Sequence, residues 1–222
     1  MSRNFLQRAA PGVHDAVISL LLEKLAPGSS VLDIGTGQGA VAQTLCDFGF
    51  NVTAVDNNPS DFRSPDVLFH ELDLNDGASV IHFSNAHEGS YDAVIAVEVI
   101  EHIENPWLLV RLMHSCAREQ GLLVCTTPNV GSWHSRLKFV LSGTYDEFSY
   151  TSQPGHINPV SEWELKLLFE TVGASQLSIS PAGKVYDQPS FAQRMFEGTA
   201  AILRPFQVGT TLGYCLVASA TK

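Results

Sequence analysis

The stretch Val31-Leu32-Asp33-Ile34-Gly35-Thr36-Gly37-Gln38-Gly39 decides the fold of this chain. Apolar and β-forming residues lead into three glycines at alternate positions, and Ala40 to Leu45 continues with helical spacing. This order predicts a strand, a tight turn and the start of a helix. Glycine suits the turn because a Cβ would block a ligand that approaches the backbone closely. The N–H groups at the helix start would offer hydrogen bonds to a polar ligand.

Acidic residues stand at the ends of the predicted strands. Asp33 lies inside the first strand, and Asn51 to Asp56 is typical of a second strand that ends in a carboxylate. A carboxylate there can accept two hydrogen bonds from ribose hydroxyls. A third strand closes on Glu71-Leu72-Asp73-Leu74, where Asp73 is placed to meet an adenine amino group. The spacing G-x-G-x-G differs from the G-x-G-x-x-G of dinucleotide sites, which counts against an NAD-binding oxidoreductase.

These segments together resemble the class I S-adenosylmethionine-dependent methyltransferases. The matching segments are VLDIGTGQGAVA (31–42), VTAVDNNP (52–59), ELDLND (71–76) and YDAVIAVEVIEHIENP (91–106). The resemblance covers most of the chain, from about Val13 to the end. It implies S-adenosylmethionine as cofactor and a seven-stranded sheet whose last strand runs antiparallel beside strand five. The cofactor-binding residues that it implies are Asp33, Gly35, Thr36, Gly37, Gly39, Asp56, Asn57, Asp73, Leu74 and Val97.

The order of predicted elements gives the same fold class. Predicted helices cover 13–25, 40–48, 76–83, 106–119, 132–141, a stretch from 161, and 188–203. Predicted strands cover 31–34, 51–56, 67–70, 91–97, 121–127, 174–180 and 210–219. Alternation of strands and helices predicts a doubly wound, mostly parallel sheet with helices on both faces, in one domain over 1–222. The segment at about 131–160, rich in Ser, Gly, Pro and aromatic residues, is expected to be a lid-like insertion over the substrate.

Composition narrows the classes of partner. The 222 residues are 45% hydrophobic and 16% charged, which indicates a globular domain. The net charge of −10, from 23 acidic against 13 basic residues, counts against a surface that binds nucleic acid. Residues 1–6 lack the apolar core of a signal peptide, and no apolar stretch approaches the ~20 residues of a membrane span. We therefore expect a cytoplasmic protein with a small-molecule acceptor.

The cysteines fit a reducing compartment. Cys46, Cys116, Cys125 and Cys215 are far apart and form no C-x-x-C pair. Three of them stand in apolar surroundings, which predicts buried free thiols.

The residues after the fourth strand carry the candidate catalytic groups. Glu98, Glu101 and His102 stand at i, i+3 and i+4, so a helical turn would put them on one face. His156 comes after the insertion and is expected at the mouth of the same sheet. Two carboxylates and two imidazoles can bind a divalent metal, which would lower the pKa of an acceptor hydroxyl. No Asn-Pro-Pro-Tyr-type sequence comes after this strand, which disfavours an amide or nucleobase nitrogen as acceptor.

Three roles remain open for these four residues. This pattern is similar to that of the metal-dependent O-methyltransferases of small-RNA 3′ ends, and related residues occur in ubiquinone-biosynthesis O-methyltransferases. Metal binding by all four, a metal-free general base at His102 or His156, and a purely structural role are the alternatives. The leading interpretation is an O-methyltransferase acting on a hydroxylated small molecule. A metal-dependent RNA 2′-O-methyltransferase and a non-catalytic nucleotide-binding module are the competing ones.

Aromatic residues cluster in the predicted insertion. They would form either a wall for a flat or lipid-like acceptor or a set of packing contacts that fix the insertion to the core. The residues are Trp133, Phe139, Tyr145, Phe148 and Tyr150.

Overall fold

The computed structural model describes residues 9–148, 155–183 and 210–222, which form six α-helices and seven strands. The helices are α1 (Val13–Lys24), α2 (Ala40–Asp47), α3 (Gly77–Ala86), α4 (Pro106–Cys116), α5 (Trp133–Ser142) and α6 (Glu162–Thr171). The strands are β1 (Ser30–Ile34), β2 (Asn51–Asp56), β3 (Leu68–Glu71), β4 (Tyr91–Ala96), β5 (Ala117–Pro128), β6 (Ser175–Ala182) and β7 (Cys215–Thr221). A single 3₁₀ turn, Ile100–His102, lies after β4.

One sheet contains all seven strands in the order β3-β2-β1-β4-β5-β7-β6. The pairs among β1 to β5 are parallel, whereas β7 runs antiparallel to both β5 and β6. The doubly wound class and the antiparallel last strand beside the fifth are therefore confirmed. The strand order reverses between β1 and β4, and ligands of such sheets bind outside the carboxyl ends at this reversal.

Two apolar layers enclose the sheet. Successive residues of a strand point to opposite faces, and in β4 Val94 and Ala96 join one layer while Ala93 and Ile95 join the other. Helices α3, α4 and α6 cover the first layer, and α1 and α2 cover the second. Burial on both faces explains why the β4 sequence is apolar throughout rather than alternating.

Short polar residues begin four of the helices. The side chains of Asp76, Asn105, Ser132 and Ser161 each accept a hydrogen bond from a backbone N–H of the first helical turn. Such caps stabilise a helix by about 1 kcal/mol each because they satisfy N–H groups that lack a partner in the helix. The Ser161 hydroxyl oxygen lies 3.2 Å from the Glu164 nitrogen, and the helix predicted to start at 161 begins at this cap.

The boundary between α4 and β5 differs from the prediction. The helix was expected to continue to Glu119, but it ends at Cys116, and Ala117 is already extended and paired with Tyr91. The sequence Ala117-Arg-Glu-Gln has good helix formers, so strand pairing here overrides intrinsic propensity. A bulge opposite Tyr91 and Ala93 accommodates the extra residues, with Gln120 at φ 63°.

Two other expectations concern the last third of the chain. The final strand was placed at 210–219, but it begins at Cys215, because Gly213 adopts φ 81° in a turn before it. The helix predicted for Gln188 to Leu203 lies outside the described residues.

None of the helices that the structure describes has the length and apolar character that a membrane span requires. Cys116, Cys125 and Cys215 are buried free thiols, as expected.

Candidate functional site

The three glycines after β1 occupy different surroundings, so glycine is required at them for different reasons. Gly35 adopts φ 70°, and a Cβ there would lie 2.5 Å from Cγ2 of Val99. At Gly39 a Cβ would lie 2.4 Å from the Ser64 hydroxyl oxygen. Gly37 also has a positive φ of 55°, but no atom lies within 4 Å of its Cβ position. The outer glycines therefore serve packing, while Gly37 faces open space.

That space belongs to a cavity of about 1010 Å³ at the carboxyl ends of β1, β2 and β4. Every residue predicted to contact the cofactor lines this cavity except Gly39, which caps α2. Glu98, Glu101, His102 and His156 line it as well. The structure thus brings the two predicted groups of residues into one cavity.

Asp56 and Asp33 hold the glycine turn from two sides. The Asp56 carboxylate accepts hydrogen bonds from the Gly37 N–H at 2.9 Å and the Asn58 N–H at 3.0 Å. Asp33 is 2% exposed and accepts a 2.6 Å hydrogen bond from the Thr36 hydroxyl. Burial raises the pKa of Asp33 to about 7, despite this hydrogen bond and with a further rise from the charge of Asp56. A cationic group of a ligand beside Asp33 would therefore favour its ionised form.

Asp73 lies past the end of β3, not within it. Its Oδ1 accepts a hydrogen bond from the Asn75 N–H at 2.9 Å, which forms a tight turn at the cavity wall. Leu74 is partly buried beside it. This wall carries one acidic and one apolar side chain, a combination that suits the edge and face of a flat ring.

Glu98 does not share a helical turn with Glu101 and His102, so that prediction was wrong. Glu98 adopts the left-handed φ of 56°, and the 3₁₀ turn begins only at Ile100. The hydroxyl of Thr126 explains this geometry, because it accepts from the Glu98 N–H at 2.9 Å and donates to Glu98 Oε1 at 2.8 Å. Cys215 Sγ donates to the other oxygen at 3.2 Å. Burial raises the pKa of Glu98, whereas these two donors lower it.

Glu101, His102 and His156 converge. Each offers one ligand atom, and these atoms lie within 4.8 Å of one another. Ligands of one metal ion at roughly 2.1 Å each lie at most about 4.2 Å apart, so a small rotation would complete a site. Glu98 is not a member of this group among the residues that the structure describes.

Glu101 has an unusual environment for a carboxylate. Its side chain is fully buried, and neither oxygen makes a hydrogen bond of ordinary geometry within the described part of the chain, although the Thr127 hydroxyl lies close enough to lower its pKa. Burial raises the pKa of Glu101 well above its ordinary range, and the charge of Glu98 raises it further. Burial and the neighbouring His102 lower the pKa of His156 to about 4, which keeps that imidazole neutral at pH 7. A neutral imidazole beside an unpaired carboxylate fits a metal ion or a hydrogen-bond donor.

The segment that carries His156 is fastened to the 3₁₀ turn. The N–H groups of Ile157 and Asn158 both donate to the Glu101 carbonyl, at 2.8 and 3.0 Å, and the Asn158 side chain donates to the Ile103 carbonyl. His102 Nδ1 lies 3.3 Å from the Gly155 carbonyl oxygen, and donation along this contact leaves Nε2 unprotonated. These bonds set the two imidazole rings edge to face at 4.6 Å.

Sequence reasoning missed Glu147 and Tyr214. Both line the cavity, and the Tyr214 hydroxyl donates to Glu147 Oε1. Glu147 lies in the predicted insertion without a spacing that points to a site, and Tyr214 precedes β7, far along the chain. Only the pairing of β7 with β5 brings Tyr214 close to the catalytic candidates.

The aromatic residues of the insertion divide into two groups. Phe139 and Tyr145 stack at 4.7 Å, and Phe139 is 45% exposed, so this pair lies on the surface. Phe148 lies 5.3 Å from the His156 ring and contacts the site. Tyr150 lies outside the described residues.

Comparison with known sequences gives consistent results. A family model described as a methyltransferase domain matches residues 5–179. The chain is 31% identical over 108 residues to the ubiquinone biosynthesis O-methyltransferase of Xanthomonas campestris pv. campestris (strain B100), covering 46% of this chain and 44% of that protein. It is 27% identical over 161 residues to the protein of that name from Rickettsia conorii, covering 71% and 54%. The matches thus span about half the length of these curated relatives.

Solved structures show the same fold. A SAM-dependent methyltransferase from Archaeoglobus fulgidus aligns with a TM-score of 0.63 at 19% identity, over 94% of each chain. Haemonchus contortus phosphoethanolamine N-methyltransferase 2, in complex with S-adenosyl-L-methionine, aligns with a TM-score of 0.60 at 14% identity. That alignment covers 96% of this chain and 53% of the other.

Proposed function

The chain belongs to the class I S-adenosylmethionine-dependent methyltransferases, and from this premise we propose that it methylates a hydroxyl group of a small molecule. The observation that carries this proposal is the convergence of Glu101, His102 and His156 in the cavity that the glycine turn also lines. We call the side of the cavity that these three residues line the acceptor end. Relatives named ubiquinone biosynthesis O-methyltransferases support an oxygen acceptor. The net charge of −10 favours a small molecule over RNA.

The residues at the opposite end of the cavity, around the glycine turn, fit the cofactor. Gly37 leaves room for it, Asp56 offers carboxylate oxygens to ribose hydroxyls, and Asp73 with Leu74 offers an acidic edge and an apolar face to the adenine. S-adenosylmethionine supplies a methyl group on a sulfonium, whose thioether is a good leaving group.

Asp56 tests this assignment. We expect Asp56→Ala to weaken S-adenosylhomocysteine binding by about 2–4 kcal/mol, because two ribose hydroxyls lose their acceptor. Calorimetry measures this, with Asp47→Ala as the control, since Asp47 is exposed at the end of α2 and outside the cavity. Equal affinities of both variants would remove Asp56 from the cofactor site.

The acceptor end must align the hydroxyl and take its proton. As the oxygen–carbon bond forms and the carbon–sulfur bond breaks, Nε2 of His102 takes the hydroxyl proton. His156 and Glu101 flank the oxygen, and the Phe148 ring lies 5.3 Å from the His156 ring. His102→Ala should lower kcat by about 10²–10⁴-fold with S-adenosylhomocysteine affinity unchanged.

Mass spectrometry of products from paired alcohol and amine acceptors tests the reaction itself. Transfer to oxygen that His102→Ala abolishes supports the proposal. Transfer only to nitrogen, or to no acceptor while S-adenosylhomocysteine still binds, would contradict it.

A metal-dependent form of this reaction is the second candidate, because Glu101, His102 and His156 offer three suitable ligands. A divalent ion held there would lower the pKa of the acceptor hydroxyl. Two imidazoles favour Mn²⁺, Fe²⁺ or Zn²⁺ over Mg²⁺. Chelator should then abolish turnover, and His156→Ala should abolish binding of Mn²⁺ to the resting protein; full activity in chelator would exclude this form.

A further inference from the structure

The acceptor end of the cavity is acidic. Glu98, Glu101 and Glu147 line it, and neither lysine nor arginine lines it among the residues that the structure describes. The charge of Glu98 raises the pKa of Glu101, and the charge of Glu147 raises the pKa of Glu98. Lys138 and His134, which do not line the cavity, act on Glu147 in the opposite sense and lower its pKa. Like charges held together in a buried site favour a cation as ligand.

Glu147 has an unusual backbone conformation, and contacts hold both its side chain and its backbone. It has a left-handed φ of 63°, a conformation that non-glycine residues rarely adopt and that clusters at functional sites. The Tyr214 hydroxyl donates to the Glu147 carboxylate, and the Glu147 backbone lies close enough to the His156 ring to raise the pKa of that imidazole. Contacts from the residues before β7 and from the His156 segment thus fix both ends of this residue.

Glu101 provides independent support for a missing ligand. It is fully buried, lines the cavity, and neither carboxylate oxygen makes a hydrogen bond of ordinary geometry with the described residues, although the Thr127 hydroxyl lies close enough to lower its pKa. Buried carboxyl groups are almost always paired, so a ligand that donates hydrogen bonds or carries positive charge completes this end of the cavity.

We propose that the methyl acceptor carries a protonated nitrogen, which lies between Glu147 and Glu98 while its hydroxyl lies at His102. This inference rests on the proposed O-methylation and names the class of its substrate, a hydroxylated amine. Glu147 is the specificity-determining residue, and Tyr214 is the positioning residue that orients it. A metal ion at Glu101 would be a second source of positive charge, and the test separates the two.

Three matched catechols serve as probes: 3,4-dihydroxybenzylamine, 3,4-dihydroxybenzyl alcohol and 3,4-dihydroxybenzoate. They differ in the charge opposite the hydroxyl pair and little in shape. We expect the amine to bind at least tenfold tighter than the alcohol, equivalent to about 1.4 kcal/mol, and the benzoate to bind weakest. Binding is measured by calorimetry on the full chain saturated with S-adenosylhomocysteine, in EDTA and again with Mn²⁺.

Variants assign the preference to one residue. Glu147→Gln keeps the shape and should remove the preference for the amine, and Tyr214→Phe should reduce it in part. Glu170→Gln removes the same charge from an exposed site on α6 and should leave the preference intact. Undetectable binding of the amine, equal binding of the three probes, a preference seen only with Mn²⁺, or a preference retained in Glu147→Gln would each overturn the proposal. Methylation of the benzylamine nitrogen would instead overturn the proposed O-methylation.

Discussion

Gly35 and Gly37 are two positions apart in one turn, yet substitution should affect them differently. Both have a positive φ, which costs a residue with a side chain about 1–2 kcal/mol. Only at Gly35 does a new Cβ also meet Val99, at 2.5 Å. We expect Gly35→Ala to lower the free energy of unfolding by about 2–4 kcal/mol and Gly37→Ala by about 1–2 kcal/mol. Urea unfolding measures both.

For ligand affinity we expect the reverse order: relative to the stability that each variant loses, Gly37→Ala should lose more S-adenosylhomocysteine affinity than Gly35→Ala. The Cβ of Gly37→Ala enters the cavity, so this variant should lose S-adenosylhomocysteine affinity although it stays folded. Val99→Ala should restore part of the stability of Gly35→Ala, because it removes the clashing methyl groups. No rescue by Val99→Ala would show that backbone strain alone explains the loss.

Asp33 gives the free protein a pH-dependent stability. Its pKa is about 7 when folded, against about 3.9 for an unfolded aspartate. The folded state holds a proton that the unfolded state releases, so this contribution is complete below about pH 4 and is lost as the pH rises to about 7. A shift of about three units corresponds to at most about 4 kcal/mol.

Asp33→Asn should remove this loss, so the variant should gain stability relative to the wild type as the pH rises from 4 to 8. Burial also raises the pKa of Glu98 and Glu101, so the difference between the two proteins, not the wild-type slope, isolates Asp33. Urea unfolding at several pH values measures it, with Asp47→Asn as the control. A constant difference across this range would show that Asp33 is ionised in the folded protein.

At the scale of elements, periodicity predicted most helices and strands but not the backbone conformation immediately after β4. Repeated apolar spacing specified α1, and the run from Asn51 to Asp56 specified β2 at its observed bounds. Spacing alone also suggested one helical face for Glu98, Glu101 and His102. The Thr126 hydroxyl on β5 instead binds both the N–H and the carboxylate of Glu98, and a contact 28 residues away cannot be seen in local spacing.

The segment Gly155–Asn158 offers a test of how one element positions the site. Asn158→Ala removes the side-chain bond to Ile103 that helps hold His156 near Glu101. We expect a loss of about 0.5–1.5 kcal/mol in stability and a fall in kcat of roughly tenfold or more, because a displaced catalytic group loses its alignment.

Asn51→Ala is the matched control. It removes a 2.8 Å bond from an asparagine side chain to the Gly28 carbonyl, at the opposite end of the sheet. It should cost similar stability but leave kcat unchanged. Equal kcat values for the two variants would show that the His156 segment keeps its place without Asn158.

At the scale of the whole molecule, the sequence predicted the residues at the glycine-turn end of the cavity, the proposed cofactor end, better than those at the proposed acceptor end. The glycine turn, Asp56 and Asp73 belong to consecutive βα units, so their order along the chain also describes their positions in space. The acceptor end combines β4, the insertion and the approach to β7, which meet only through the antiparallel pairing of β5 and β7. Glu147 and Tyr214 were missed for that reason.

The insertion at about 131–160 remains a predicted lid over the acceptor end. In the described part, α5 ends at Gly143 with φ 73°, and Asp146 accepts hydrogen bonds from His134 at 2.7 Å and Lys138 at 3.1 Å. These bonds make α5 and the residues after it one unit, which Glu147 joins to Tyr214, the residue immediately before β7. Such a unit can move as a body about flanking residues such as Gly131 and Gly155.

We therefore expect hydrogen exchange across 133–148 to slow when cofactor product and acceptor bind together, more than with either alone, because closure needs both ends of the cavity filled. Tyr214→Phe should speed exchange in the free protein, since it removes a contact between this unit and the residue that leads into β7. Amides of α2, which supports the glycine turn, serve as the internal control and should respond to the cofactor product alone. Equal protection of 133–148 in the free and doubly bound protein would show that the insertion is a fixed wall, and that the acceptor enters a cavity already formed.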